Sequence, residues 1–264
     1  MKVETVEIIS KETECPYTIS IAIPNTEAPR SGYPVLYVLD GNAFFQTFAE
    51  TIRIQTRRSE KTGVTPFVVV GIGCPVEEDF VSDYRFYDFT PPANTVELPP
   101  HPQGKEWPHH GGADKFLTFM EEEVKPLVDT RCHVDRKKQA LFGHSLGGLF
   151  SLYTLLSKRD AFQSYIISSP SIWWNNKQVL TLEEKFVASL REEEEAEARY
   201  AFICVGELEK GYMVEDAKVL YERLSKIDKQ KVTCGYYLAE EENHISVVPT
   251  VLSRALRFIS KGVS

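Results

Sequence analysis

Gly143-His144-Ser145-Leu146-Gly147 places a serine inside a G-x-S-x-G pattern, midway along a chain of 264 residues. Where a strand feeds a helix through such a turn, the backbone is strained and the serine oxygen is lifted clear of it. A short strand-like stretch at 139–143 precedes the motif and a helix-like stretch at 146–157 follows it. The following helix aims its N-terminus at an oxyanion developing beside the serine. A chance match on a surface loop would lack both flanks, and here Gly148 adds a further small residue.

A serine hydroxyl is a weak nucleophile until a base takes its proton. In strand–elbow–helix hydrolases the chain order is serine, acid, histidine. Of the six histidines only His244 follows Ser145, in EENHIS, after a strand-like run at 232–238 and before the last helix-like stretch. That order selects His244 as the general base. The acid belongs after the strand at 201–205, where the chain reads Gly206-Glu207-Leu208-Glu209-Lys210. Either glutamate can orient an imidazole and stabilise its cation, and the two remain alternatives on this reading.

An oxyanion hole needs N–H donors, one from Leu146 and one from the turn after the third strand, Leu39-Asp40-Gly41-Asn42. Gly41 supplies the freedom such a turn demands, so the second donor is expected at Gly41 or Asn42. Trp173 and Trp174 follow the strand at 165–168, at the strand ends where open α/β sheets bind ligands. His101, His109 and His110 sit in a proline-rich segment without cysteine or carboxylate at ligand spacing, so no metal is expected.

These residues need a scaffold, and the hydrophobic pattern describes one. Segments 3–9 and 17–23 alternate like half-buried antiparallel strands. The runs at 35–39 and 67–72 are continuously apolar, as parallel strands covered on both faces are. Further short strands are read at 139–143, 165–168, 201–205 and 232–238. Helical spacing appears at 44–58, 115–128, 146–157, 182–197, 215–227 and 247–260. The alternation predicts a single α/β domain over 1–264, a mostly parallel twisted sheet with helices on both faces. Segment 90–112 breaks the pattern and reads as a long lid-like loop. The acidic run 192–195 reads as a solvated helix end.

Composition narrows the class. The chain is 42% hydrophobic and 26% charged, with a net charge of −8. That balance argues against nucleic-acid or anionic-membrane partners, and an anionic substrate would need a local cation. Arg85 and the cluster Arg53, Arg57 and Arg58 are the candidates. Five scattered cysteines without a C-x-x-C pair imply neither zinc nor a disulfide framework. The N-terminal stretch has no apolar core of a leader, and no run is long enough to span a membrane. A reduced, cytoplasmic setting is the expectation.

DGNAFF (40–45), RFYDFTP (85–91), GGADKF (111–116), FGHSLGGLFSLY (142–153), SPSIWW (169–174) and GELEKGYM (206–213) together resemble the putative-esterase branch of the α/β-hydrolases. Within it they look most like the enterochelin esterase and bacillibactin trilactone hydrolase group. The resemblance implies the α/β-hydrolase fold and cleavage of a cyclic tri-ester catecholate siderophore, freeing its iron inside the cell without a cofactor. By position it makes Ser145 the nucleophile, His244 the base, Glu209 the acid and Arg85 a substrate contact. The loop 93–110 matches no feature of the group and leaves the substrate open. A general carboxylesterase or thioesterase of the same branch, and a hydrolase-fold binding protein without activity, are the alternatives.

Overall fold

Val35, Tyr37 and Leu39 face one side of strand β3 (Tyr33–Leu39) while Leu36 and Val38 face the other, and all five are buried. Strand side chains alternate between faces, so a wholly apolar strand requires cover on both. β4 (Val68–Gly73) is buried along its whole length in the same way.

The computed structural model describes residues 1–101, 104–192 and 197–263. The remaining strands are β1 (Lys2–Ile9), β2 (Pro16–Ile23), β5 (Val134–His144), β6 (Ser164–Ser168), β7 (Arg199–Gly206) and β8 (Val232–Ala239). They form an eight-stranded sheet in the order β1-β2-β4-β3-β5-β6-β7-β8. The β1–β2 and β2–β4 pairs are antiparallel and the others parallel.

The helices are α1 (Gly41–Gln55), the short α2 (Ser59–Thr62), α3 (Ser82–Phe89), α4 (Ala113–Phe119), α5 (Lys125–Asp129), α6 (Leu146–Ser157), α7 (Leu182–Glu192), α8 (Gly211–Leu224) and α9 (Val247–Ser260). α1 and α9 bury Phe48, Ile52, Val251 and Leu256 against one face of the sheet. The other face is covered by α3 to α8 through residues such as Phe116, Leu149, Phe150 and Leu220.

From β3 the chain turns onto one face as α1, and from β5 it turns onto the other as α6. The strand order reverses between these neighbours. The crevice at their C-terminal ends is the switch point where open α/β sheets hold ligands, and it receives the serine turn.

Four expectations are revised. β5 begins at Val134, because the polar stretch 135–138 joins the strand after a register shift between Tyr33 and Val35. α3 occupies a segment for which the hydrophobic pattern gives no helix; its eight residues are too few for a helical period to show. α4 and α5 are joined through a π-helical turn, Met120–Val124, just before Pro126, which has no N–H to give the helix ladder. α1 starts at Gly41, directly after the strand, so the turn expected at 39–42 is compressed into Asp40.

The described part of 90–112 is irregular up to Gly112 and is fastened at its C-terminal end and within its length. Gly112 N–H donates to Tyr87 O, and Glu97 N–H donates to Asn175 Oδ1 at 2.8 Å. Trp107 packs between Phe86 and Trp173. Residues 193–195 of the expected acidic helix end lie outside the described residues.

Candidate active site

Ser145 is the single residue between β5 and α6, with φ 60° and ψ −114°. That conformation costs a non-glycine residue on the order of 1–3 kcal/mol and persists only where its surroundings enforce it. The enforcement is visible. Ser145 N–H donates to Ser168 O at 3.0 Å, and Ser145 O accepts Ser171 N–H at 3.0 Å. At Gly143 a Cβ would fall 1.9 Å from Gly147 O, so only glycine lets the strand and helix meet this tightly.

Leu146 is the first residue of α6 and Gly41 the first of α1, so their N–H groups have no acceptor within their helices. The left-handed residue here is Asp40 (φ 51°), not Gly41. What demands glycine at 41 is proximity, since a Cβ there would lie 2.8 Å from Ile72 N. The Asn42 side chain is turned away to the 74–78 segment, donating to Val76 O at 2.8 Å and accepting Cys74 N–H at 2.9 Å.

His244 lies in the turn between β8 and α9. Its Nδ1–H donates to Glu209 Oε2 at 2.6 Å. The imidazole is partly exposed and the carboxylate is 1% exposed. Burial alone would raise the Glu209 carboxyl; donors from His244, Ser169 and Gly206 outweigh it and hold the group below its ordinary range. Glu207 is exposed and accepts Glu241 N–H at 3.0 Å, capping the turn that carries His244. Of the two glutamates, Glu209 is the one the fold brings to the imidazole.

Ser145, His244 and Glu209 line one cleft of about 400 Å³ with Ser171, Trp173, Leu208 and Lys210. With Nδ1 bonded to Glu209, His244 keeps Nε2 for proton exchange. Ser145 Oγ is turned to Ser171 Oγ, 3.3 Å away.

The tryptophans separate. Trp173 lines the cleft, whereas Trp174 is 1% exposed in the core. Arg85 reaches beneath the serine turn: Nε donates to Asp40 Oδ1 at 2.8 Å and Nη2 to His144 O at 3.3 Å. It ties the ends of β3 and β5 together. Arg53 is paired with Glu50 on the exposed face of α1. His109 stacks on Tyr87 and His110 meets Trp174 edge-on. Among the described residues no group of three or more His, Cys, Asp or Glu is placed to hold a metal ion, and no helix is long and apolar enough to cross a membrane.

Sequence reasoning missed three neighbours. His144, the x of G-x-S, is buried with Nδ1 3.1 Å from Ser168 Oγ and its ring 4.5 Å from that of His244. Burial, then the charges of His244 and Arg85, hold it well below the usual histidine range, so it stays neutral. Ser169 and Ser171 complete the set. The only available signal was their position at the C-terminal end of the strand beside the elbow.

The sheet order, the strained serine between β5 and α6, and the histidine and carboxylate delivered by later turns define an α/β-hydrolase. A family model described as Putative esterase matches residues 10–245, and the chain belongs to that family; it is a carboxylic ester hydrolase. It is similar to the ferri-bacillibactin esterase BesA of Bacillus subtilis (strain 168), 46% identical over 245 residues that cover 92% of this chain and 84% of that one. Among solved structures, the BES protein from Bacillus cereus superposes with a TM-score of 0.93 at 50% identity, over 98% of this chain and 96% of that one. The siderophore hydrolase EstA from Aspergillus nidulans does so at 0.83 and 31%, over 99% and 95%.

Proposed function

We propose that this chain hydrolyses the ester bonds of a siderophore macrolactone, the trilactone of a catecholate siderophore, through a Ser145–His244–Glu209 triad. The observation that carries the mechanism is the 2.6 Å Glu209–His244 contact in the cleft that also holds Ser145. His244 Nε2 takes the Ser145 proton as Oγ attacks the ester carbonyl. The oxyanion is received by Leu146 N–H and by a donor at the head of α1, Gly41 or Asn42. Collapse expels the alcohol with the proton from His244 and leaves an acyl-enzyme. Water, deprotonated by the same imidazole, then releases the acid. Glu209 keeps the ring in one tautomer and stabilises its cation.

The substrate class rests on two of the relatives, one named a ferri-bacillibactin esterase and one a siderophore hydrolase, and on the cleft. Trp173, Tyr212 and Leu208 offer apolar and aromatic surface, and Lys210 offers a cation. Catechol rings carrying negative charge suit both. Iron enters only as the substrate's cargo, and every covalent step is assigned to the chain's own side chains. The setting we propose is the cytoplasm, with no nucleic-acid or membrane partner.

The test is product analysis by mass spectrometry on a ferric tri-catecholate lactone, its iron-free form, and a panel of small acyl, thioester and feruloyl substrates. Preferential opening of the lactone is expected. Faster turnover of small neutral esters would make this a general carboxylesterase, and no labelling by a fluorophosphonate would make it a binding protein.

A further inference from the structure

Ser169 stands in the left-handed region, φ 44°, and is completely buried. A serine pays for that backbone where glycine would not. Its hydroxyl supplies the reason. Ser169 Oγ donates to Glu209 Oε1 at 2.5 Å, and Gly206 N–H donates to the same oxygen at 2.8 Å. Oε2 is left for His244 at 2.6 Å. Gly206 belongs to the acid's own strand, β7, whereas Ser169 comes from the end of β6 and is anchored by its N–H to Cys204 O at 2.7 Å. The hydroxyl therefore fixes the carboxylate's rotation from a second, independent element.

We propose that Ser169 is a positioning residue for ester hydrolysis, its hydroxyl holding Glu209 so that one oxygen faces His244. This rests on the triad reading above. A carboxylate with 1% exposure has no water to replace a lost donor, so removing the hydroxyl leaves Oε1 with Gly206 alone. The ionisable groups facing Glu209 are His244, from the turn after β8, and the Cys204 thiol of β7, pushed up to about 12 by burial and uncharged at working pH. Lys210 is its neighbour in the chain. Without Ser169 the carboxylate becomes more basic and binds the imidazolium proton more tightly, so the base is silenced at a higher pH.

The experiment compares Ser169→Gly with Ser169→Ala. Glycine relieves the backbone and alanine does not, yet both delete the hydroxyl. Both are expected to lose kcat by roughly ten- to a hundred-fold, the worth of one hydrogen bond to a charged group, with little change in KM. The acid limb of kcat/KM should move to higher pH, and in a Glu209→Gln background Ser169→Gly should cost almost nothing more. Ester turnover that survives Ser145→Ala overturns the triad reading and this proposal with it. Turnover lost in Ser145→Ala but kept within about twofold in Ser169→Gly, with the acid limb unmoved or shifted down, overturns the role of Ser169 alone.

Discussion

Glu209 and His244, 35 residues apart in sequence, meet at 2.6 Å because β7 and β8 run parallel in register and deliver their C-terminal turns side by side. Gly206 pairs with Ala239 at the end of that ladder, so both turns leave the sheet at one level. Replacing the carboxylate with an amide alters the imidazole's tautomer without changing shape. Glu209→Gln is expected to lower kcat by up to roughly 10⁴, as in the best-studied triad, with Tm little changed. Glu207→Gln removes only a charge, since the amide oxygen can still accept Glu241 N–H, and it should stay within about a few-fold of wild type. The reverse ranking would move the acid to Glu207, and no loss in either would leave a Ser145–His244 dyad.

The serine turn trades stability for geometry. Ser145→Ala keeps the unfavourable φ of 60°, so it should abolish turnover and fluorophosphonate labelling at nearly unchanged Tm. Ser145→Gly is equally inactive but relieves the backbone, and a rise in Tm of roughly 2–4 °C per kcal/mol relieved is expected. Labelling that persists in either variant would take the nucleophile's role from Ser145. A Ser145→Gly melting point at or below that of Ser145→Ala would mean the turn is not strained.

Much of this architecture is readable in the sequence because its signals are local. The apolar runs of β3 and β4 announce a sheet covered twice, and G-x-S-x-G announces its own strand and helix. What was not readable depends on contacts between distant turns. Glu207 and Glu209 have the same chemistry two positions apart, and only the packing of the β8 turn separates them. Ser169 gives no sequence signal, because its left-handed backbone and its bond to Glu209 exist only once β6 and β7 are paired. Arg85 looked available for substrate because nothing in the sequence brings Asp40 to it across 45 positions.

Asp88 is a buried carboxyl outside the cleft, 2% exposed, with Tyr17 Oη donating at 3.0 and 2.9 Å to its two oxygens. Burial pushes it up to about 8, against the help of Tyr17 and with a smaller push from Asp40. Its folded pKa lies above the unfolded one, so its stabilising contribution is complete below the ordinary carboxylate pKa and is lost as pH rises through about 8. Asp88→Asn keeps an acceptor for Tyr17 and removes the charge. The variant's Tm minus that of wild type should therefore grow from pH 5 to pH 8 and level off above it. Melting curves that stay parallel across that range would show that Asp88 titrates as it does unfolded.

Charge recognition should fall to Lys210 and not to Arg85. The guanidinium of Arg85 is 16% exposed and spent on Asp40, itself 4% exposed, and on His144 O. Deleting one member of such a buried pair strands the other, which costs on the order of 3–5 kcal/mol when burial is complete and somewhat less here. Arg85→Ala should therefore lower Tm and raise KM by a similar factor for a ferric tri-catecholate lactone and for a neutral p-nitrophenyl ester. Lys210 is exposed at the cleft with its Nζ 5.9 Å from the Tyr212 ring centroid, and among the described residues no ion pair claims it. Lys210→Gln should leave Tm and the neutral ester unchanged while raising KM for the ferric complex several-fold, an effect that shrinks as salt screens the charge. Steady-state kinetics on the two substrates at low and high ionic strength decides it. Selectivity that follows Arg85 instead would mean the guanidinium leaves Asp40 to meet the substrate, and selectivity in neither variant would place charge recognition outside this cleft.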